Sequence, residues 1–448
     1  MTSSLDWQAI HAELTGIETI TDPQQLTKLS LDYYHFSPIL QPQLADKRAD
    51  LVVRPVNEAQ VQQVAQVCVR HKIPLTVRGA GTGNYGQCIP LMGGIVLDTT
   101  RMNQILWIKE GVAAVEVGVK MAAFDKQARL QGWELRMYPS TYRTATLGGF
   151  IGGGSGGIGS INYGQLRDRG NVYGARVVTL EDHPRILTLR GDEVQQINHA
   201  YGTNGIITQL EIPLAPAYPW AEVIVTFGDF LTAARFGQAL SDGDGLVKKL
   251  VTVCADPIGG YLTALQEFIP PGQSCALLMV AESSLDPLEA LVKDYGGTIT
   301  YQKRAQEAQK GTSLAEFTWN HTTLHARAVD PSLTYLQTFY FDLERVAAMY
   351  EQFGDEVMIH LEFLRVAGRA IPAGLQLVRY TTPERLGAII ECHEAQGCAI
   401  ANPHTYILED GGRKVIDPLQ LAFKEQVDPY GLLNPGKMRA WGEKFDRK

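Results

Sequence analysis

Cysteine is scarce in this sequence and nowhere clustered. Six of 448 residues are cysteine (Cys68, Cys88, Cys254, Cys275, Cys392 and Cys398), and none forms a CxxC pair. Thiols so few and so dispersed predict neither a disulfide framework nor a zinc site, and they suit a reducing cytoplasm. Positive charge is also in deficit: 48 acidic against 40 basic side chains leave a formal charge of -8. With no basic surplus to neutralise a phosphate backbone, nucleic acid is not an expected partner. No stretch reaches the roughly 18 uninterrupted apolar residues of a membrane helix, so no integral membrane segment is expected, and attachment to a membrane face would need a partner. The start, Met1 to Trp7, has no basic segment followed by an apolar run, so neither a secretory signal nor a transit peptide is expected.

What is present is the composition of a globular chain, 45% hydrophobic and 20% charged, long enough for two domains. Residues 1–45 read as a polar, helical lead-in with little chemistry. Order begins at Leu51-Val52-Val53. Val61, Val64, Ala65 and Cys68 follow at helical spacing, and then Ile73, Leu75 and Val77 alternate as in a strand. This unit delivers the chain into Arg78-Gly-Ala-Gly-Thr-Gly-Asn-Tyr-Gly86. A helix is expected from Met121 to Gln131, stopped by Gly132. From about 222 to 415, short apolar runs alternate with helical patterns, which predicts an antiparallel sheet covered by helices on one side. The expected divisions are 1–45, a first domain over 46–218, a second over 219–415, and a closing segment, 416–448, that returns to the first domain.

Gly81, Gly83 and Gly86 satisfy GxGxxG. The usual dinucleotide fold needs a helix to open at the last of these glycines. Here the loop runs into Pro90 and Gly93-Gly94 and then into the strand Ile95 to Asp98, so that fold is not expected. A run of small residues can instead turn its backbone N–H groups inward as an anion nest, which suits a pyrophosphate. Between Gly148 and Gly159 eight of twelve residues are glycine, too many for the interior of a regular element, so something is expected to approach that backbone closely. Gly431 to Lys437 matches GxxxxGK in spacing, but Met438 replaces the hydroxyl that would hold magnesium and Pro435 lacks an N–H donor. It is not read as a nucleotide triphosphate site.

Five ordered motifs carry a resemblance: Val77 to Gly83; Tyr138-Pro-Ser-Thr141 with Thr146-Leu-Gly-Gly149; Ser155-Gly-Gly157 leading to Tyr163-Gly164; Tyr201 to Thr208; and Asp428 to Lys437. In these the chain resembles the vanillyl-alcohol oxidase and p-cresol methylhydroxylase superfamily of FAD enzymes, particularly the branch with the FAD-linked glycolate oxidases and the flavin-dependent D-lactate dehydrogenases. The resemblance implies an α+β fold, with a two-subdomain FAD-binding domain of the p-cresol methylhydroxylase type and an α+β cap. It further implies that Arg78, Gly79, Ala80, Gly81, Thr82 and Gly83 cradle the FAD pyrophosphate, with Asn84 and Gln87 at the end of that loop. Pro139, Ser140, Thr141, Thr146, Gly148 and Gly149 would line the cofactor, as would Gly153, Gly156 and Gly157. Gly205, Ile206 and Ile207 would contact it through the backbone, and Asn434 would close the flavin side. Where some relatives bond a histidine to the flavin, Thr82 stands here, so a non-covalent FAD is expected.

Oxidation of an alcohol carbon needs a base for the hydroxyl proton, and histidine suits that role near neutral pH. His393 follows Leu386, Ile389 and Ile390 at helical spacing and reads as a packed histidine. His321, in the polar run Trp319 to His325, is a candidate, as is His360, which shares one strand face with Glu362. His404 is the third, because the segment from Gly397 to His404 is similar to the one carrying the catalytic histidine of the hydroxyacid dehydrogenases. Pro403 occupies the position of the metal-binding glutamate of metal-dependent relatives, and no metal is expected. Arg365, Arg369 and Arg379 are the candidates to hold a carboxylate, and nothing in their spacing selects one. The expected activity is hydride transfer to FAD from a CH–OH substrate, with 2-hydroxy acids such as glycolate or D-lactate in view. A sugar or aromatic alcohol, or service as a flavin-binding accessory subunit of a larger dehydrogenase, are the alternatives. Oxygen, a quinone or a redox protein would take the electrons, and an oligomer or partner subunit is compatible with the sequence.

Overall fold

The apolar run at Leu51–Arg54 forms the first long strand of the computed structural model, which describes residues 5–308, 310–413 and 417–445. Helix Glu58–His71 follows, opened by Asn57, whose side chain accepts the Gln60 N–H at 3.0 Å, and closed by Lys72 in the left-handed conformation. Its buried stripe is the expected one, Val61, Val64, Ala65 and Cys68. Strands Leu75–Arg78 and Ile95–Asp98 complete a parallel trio, with 95–98 in the middle and Glu18–Ile20 antiparallel on the outer edge. The C-terminal segment extends this sheet: Leu75 donates its N–H to Leu432 O at 2.8 Å and accepts from Asn434 N at 2.7 Å.

A second sheet is antiparallel, in the order Ile105–Lys109, Val112–Glu116, Ile206–Pro216, Gly174–Val178, Ile186–Arg190, and Trp133–Leu135 pairs with the far end of the long central strand. Helix Met121–Arg129 packs beside it, and Gly132, at φ 80°, makes the turn that follows. The glycine-rich stretch differs from expectation in one respect. Leu147–Gly153 is helical, capped by Thr146, whose hydroxyl accepts the Gly149 N–H at 3.2 Å. Burial of Leu147, Phe150 and Ile151 outweighs the helix-breaking tendency of its glycines. Gly148 is required there, since a Cβ would fall 2.5 Å from Val117 Cβ.

Residues 220–401 supply an eight-stranded sheet, antiparallel throughout, in the order 298–303, 220–227, 274–281, 248–254, 360–366, 369–374, 337–339, 399–401. Helices Phe230–Asp242, Leu285–Asp294, Leu343–Phe353 and Pro383–Ala395 cover one face, burying Val223, Val225, Val251, Val253, Leu361 and Phe363. Leu250, Met279 and Ala281 point the other way and join the core of the first two sheets, as the period of two in a strand demands. The fold is α+β, with the helix-covered antiparallel sheet that the pattern predicted. The division expected between residues 415 and 416 lies outside the described residues. His393 is indeed packed, stacked on Phe353 with its Nδ1 2.8 Å from Ile389 O.

Candidate active site

Where the two glycine loops face the large sheet there is a cavity of about 420 Å³. One wall is the loop after strand Leu75–Arg78. Among the described residues, the peptide N–H groups from Gly79 to Asn84 meet no protein acceptor, so six consecutive donors are left for a ligand. Such a run of inward-turned donors makes a nest suited to an anion. Behind it lies the Arg78 guanidinium, which donates to Leu31 O at 2.5 Å and Ala80 O at 3.4 Å. A Cβ on Gly81, at φ 68°, would strike that guanidinium. Asp32 and Lys437 are buried in the same region. Burial pushes the Asp32 carboxyl up to about 6 and pulls the Lys437 ammonium down to about 7, each partly offset by the other's charge.

The second wall is Pro139, Ser140, Thr141, Thr146, Gly148, Gly149, Gly153 and Gly156, with Ile207 from the central strand and Gly205 just before it. Gln87 ties the two glycine loops together, its Nε2 donating to Gly153 O at 2.8 Å. The third wall comes from the large sheet and its neighbours: Trp319, Asn320 and His321 at the start of helix Asn320–Val329, Gln337 to Phe339 on the strand next to the edge, Leu364 and Ala373 on the two strands before it, and Leu375 just past the end of strand 369–374.

Of the residues the sequence singled out for the cofactor, 17 line this cavity; Arg78, Gly157, Ile206 and Asn434 do not. Arg78 backs the nest, and Ile206 lies in the hydrophobic core. Gly157 seats against the Tyr138 carbonyl, where a Cβ would come within 2.2 Å. Asn434, at φ 43°, donates from Nδ2 to Gln87 O at 2.8 Å and also binds Tyr201 O, so it holds lining residues from behind. Of the three histidines only His321 lines the cavity. Burial, with His325 nearby, draws its imidazole down to about 4. His404 is buried elsewhere, Nδ1 2.7 Å from Ser37 Oγ and Nε2 donating to Tyr335 O at 2.9 Å. His360 is locked between Glu362 and Leu375 O. Arg365, Arg369 and Arg379 are not among the lining residues; Arg365 binds Ile161 O and Asp244, and Arg379 binds Asp355 O.

Several lining residues had no signal in the sequence. Tyr33 and Phe36 come from the lead-in assigned little chemistry, and Tyr85, Cys88, Arg167, His199 and Tyr201 also face the space. The aromatic run Tyr33-Tyr-His-Phe36 in an otherwise polar stretch was the one available clue. Among the described residues no group of three or more His, Cys, Asp or Glu is placed to hold a metal ion.

A glycine-rich, donor-lined cradle joined to a mixed polar and aromatic wall fits a dinucleotide with a planar ring. Residues 49–183 match the family model described as FAD binding domain. Over 431 residues the chain is 25% identical to the glycolate oxidase subunit GlcD of Bacillus subtilis, covering 87% of this chain and 89% of that one. The chain is an FAD-linked oxidoreductase. The oxidoreductase is also 30% identical to the D-lactate dehydrogenase of Anaerostipes hadrus, over 38% of this chain and 37% of that one. In fold it is similar to alkyldihydroxyacetonephosphate synthase, at a TM-score of 0.73 and 16% identity, covering 98% of this chain and 86% of the other. The resemblance read from the five motifs is borne out. Among the described residues of the oxidoreductase no helix is long and apolar enough to cross a membrane.

Proposed function

We propose that the protein oxidises a small hydroxylated substrate at its carbinol carbon, in the space between bound FAD and the wall formed by Trp319, His321 and Phe339. The observation that carries this reading is the cavity in which unpartnered loop N–H groups face an aromatic and polar wall that includes a histidine. The nest from Gly79 to Asn84 holds the pyrophosphate. Gly148, Gly149, Gly205 and Ile207 offer backbone rather than bulk to the cofactor. Attachment is non-covalent, since Thr82 supplies no nucleophile suited to a flavin bond. Bound flavin supplies a two-electron acceptor.

His321 is the candidate base. Its low proton affinity keeps it neutral at pH 7, the form in which an imidazole nitrogen accepts the hydroxyl proton while the carbinol C–H leaves as hydride. A positioned base of this kind contributes roughly 100 to 10,000-fold in rate. Two substrate classes suit the cavity: the 2-hydroxy acids that the names of the relatives carry, and uncharged alcohols able to lie against Trp319 and Phe339. The free state of all six thiols supports a reducing compartment such as the cytoplasm.

Anaerobic titration of the FAD-loaded protein with glycolate, D-lactate, benzyl alcohol and an alditol, followed by admission of air, tests the reading. Bleaching of the flavin by at least one compound, slowed about 100-fold or more in His321→Asn, is the expected result. Flavin that dithionite reduces but no hydroxylated compound bleaches would favour an accessory subunit instead.

A further inference from the structure

Trp319 holds a backbone conformation that a non-glycine residue seldom adopts, φ 52° and ψ -138°. Unfavourable dihedrals of this kind persist only where the surroundings over-determine them. What determines this one is a carboxylate: the Trp319 N–H donates to Glu362 Oε1 at 2.7 Å. Glu362 is 1% exposed, and its other oxygen accepts the Thr252 hydroxyl at 2.6 Å from the adjacent strand.

His360, fully buried two residues earlier on the same strand, completes the arrangement. Its Nε2 lies 2.9 Å from the same Glu362 oxygen and its Nδ1 lies 3.2 Å from the carbonyl of Leu375. A carbonyl only accepts, so Nδ1 is the donor in that contact, which turns Nε2 toward the Glu362 carboxylate and the Thr322 hydroxyl at 3.4 Å. Leu361 and Phe363 point to the opposite, helix-covered face. His360, Glu362 and Leu364 therefore share the face turned toward the cavity, and Leu364 lines it.

Trp319 and Leu375 are both cavity-lining residues, one from a helix start and one from a turn between strands. The two have no sequence proximity, and each is fixed by one member of the buried pair. A pair of apolar side chains of similar volume would serve cap stability as well or better. It would not supply an acceptor for one wall segment and a donor for the other.

We infer that His360 and Glu362 form a positioning pair for the substrate-facing wall, Glu362 setting Trp319 and His360 setting Leu375, with neither touching the ligand. This inference rests on the reading of the cavity as the FAD and substrate site. Loss of the pair displaces the indole and weakens substrate binding, and it leaves FAD binding intact, since no hydrogen bond among the described residues joins the Gly79 to Asn84 nest to either of them.

The test uses FAD-loaded protein labelled with 5-fluorotryptophan. The six tryptophans give separate fluorine resonances, and Trp319→Phe assigns one of them. In Glu362→Leu the Trp319 resonance is expected to shift or broaden while the other five and the FAD content stay as in wild type. In Glu362→Gln, which keeps one acceptor oxygen for two competing donors, the same change is expected in smaller measure. With the compound that bleaches wild type fastest, the apparent Kd for flavin reduction rises about tenfold in the leucine variant and about threefold in the glutamine variant, and the limiting rate changes less than either. An unmoved Trp319 resonance in a folded variant of either kind overturns the inference, as does a limiting rate that falls while Kd holds. If no compound bleaches the wild type, the proposed oxidation fails, and the fluorine spectra still decide the positioning role.

Discussion

Gln87 and Gly153 are joined beside the cavity by one hydrogen bond, Nε2 to carbonyl at 2.8 Å, and this bond spans the two glycine-rich segments. The side-chain oxygen of Gln87 lies close under Gly83, where a Cβ would approach it to 2.2 Å, and Asn434 holds the Gln87 carbonyl. The nest is therefore braced by a side chain rather than by regular secondary structure.

Gln87→Leu keeps the volume and removes the brace. We expect the FAD dissociation constant to rise about tenfold, corresponding to the loss of roughly one such bond, with little change in the melting temperature of cofactor-free protein. Fluorescence titration of the apoprotein with FAD reads this out; unaltered affinity would show that the loops hold their spacing without Gln87.

Gly79→Ala places a methyl group 2.4 Å from Thr146 Oγ1, the hydroxyl that caps helix Leu147–Gly153. Relief of that clash moves one loop against the other, at a cost of roughly 1–3 kcal/mol. The variant should purify with markedly less bound FAD and melt several degrees lower. Gly387→Ala is the matched control. It sits inside helix Pro383–Ala395 with nothing within 4 Å of the new methyl group, and it should stabilise by about 0.5–1 kcal/mol. Should both variants melt alike, the close approach at Gly79 is not a constraint.

Acid should destabilise the fold through its buried histidines. Burial lowers His404 to about 4 from an ordinary 6.5, so between these values the unfolded chain binds a proton that the native state refuses. Stability therefore falls as pH drops from 6.5 toward 4 and levels off below, by on the order of 3 kcal/mol for this one group. His321, also lowered to about 4, adds a change of the same sign. Urea unfolding from pH 7 to pH 4 should give a shallower decline for His404→Gln than for wild type, and parallel curves would refute the assignment.

Lys249 on the large sheet reaches Glu134 beside the second sheet, Nζ to Oε1 at 2.6 Å with both side chains almost fully buried. Trp220 Nε1 and Arg129 also bind that carboxylate. Lys249→Met leaves the buried Glu134 short of one cation, and we expect a loss of about 3 kcal/mol, the low end for a broken buried pair because Arg129 remains. Lys249→Met combined with Glu134→Gln should recover part of it. Calorimetry of the three variants checks the coupling, and a double variant no better than the single would argue against it.

Much of the cofactor side was legible in the sequence because backbone approach leaves a compositional trace. Only glycine tolerates the crowding at Gly79, Gly148 and Gly157, so the segments around the cavity are visible as glycine. The helix over 147–153 was missed because propensity weighs each glycine singly, whereas the burial of Leu147, Phe150 and Ile151 acts on all of them together. Alternation correctly placed His360 and Glu362 on one strand face. It could not tell whether that face opened on a cavity or closed on a partner.

Fold class, the FAD assignment and the two glycine loops that line the cavity were legible in local chemistry: strand and helix periods, glycine where no side chain fits, and a run of N–H donors. Which histidine faces the cavity was decided only in three dimensions. His321, His360 and His404 are equivalent by residue type, and what separates them is the packing of segments distant in sequence. Ser37 and the carbonyl of Tyr335 take both nitrogens of His404, Glu362 and Leu375 take those of His360, and His321 alone of the three reaches the space where a ligand can lie. A side chain's chemistry is written in its own code, but its partners are supplied by the rest of the fold.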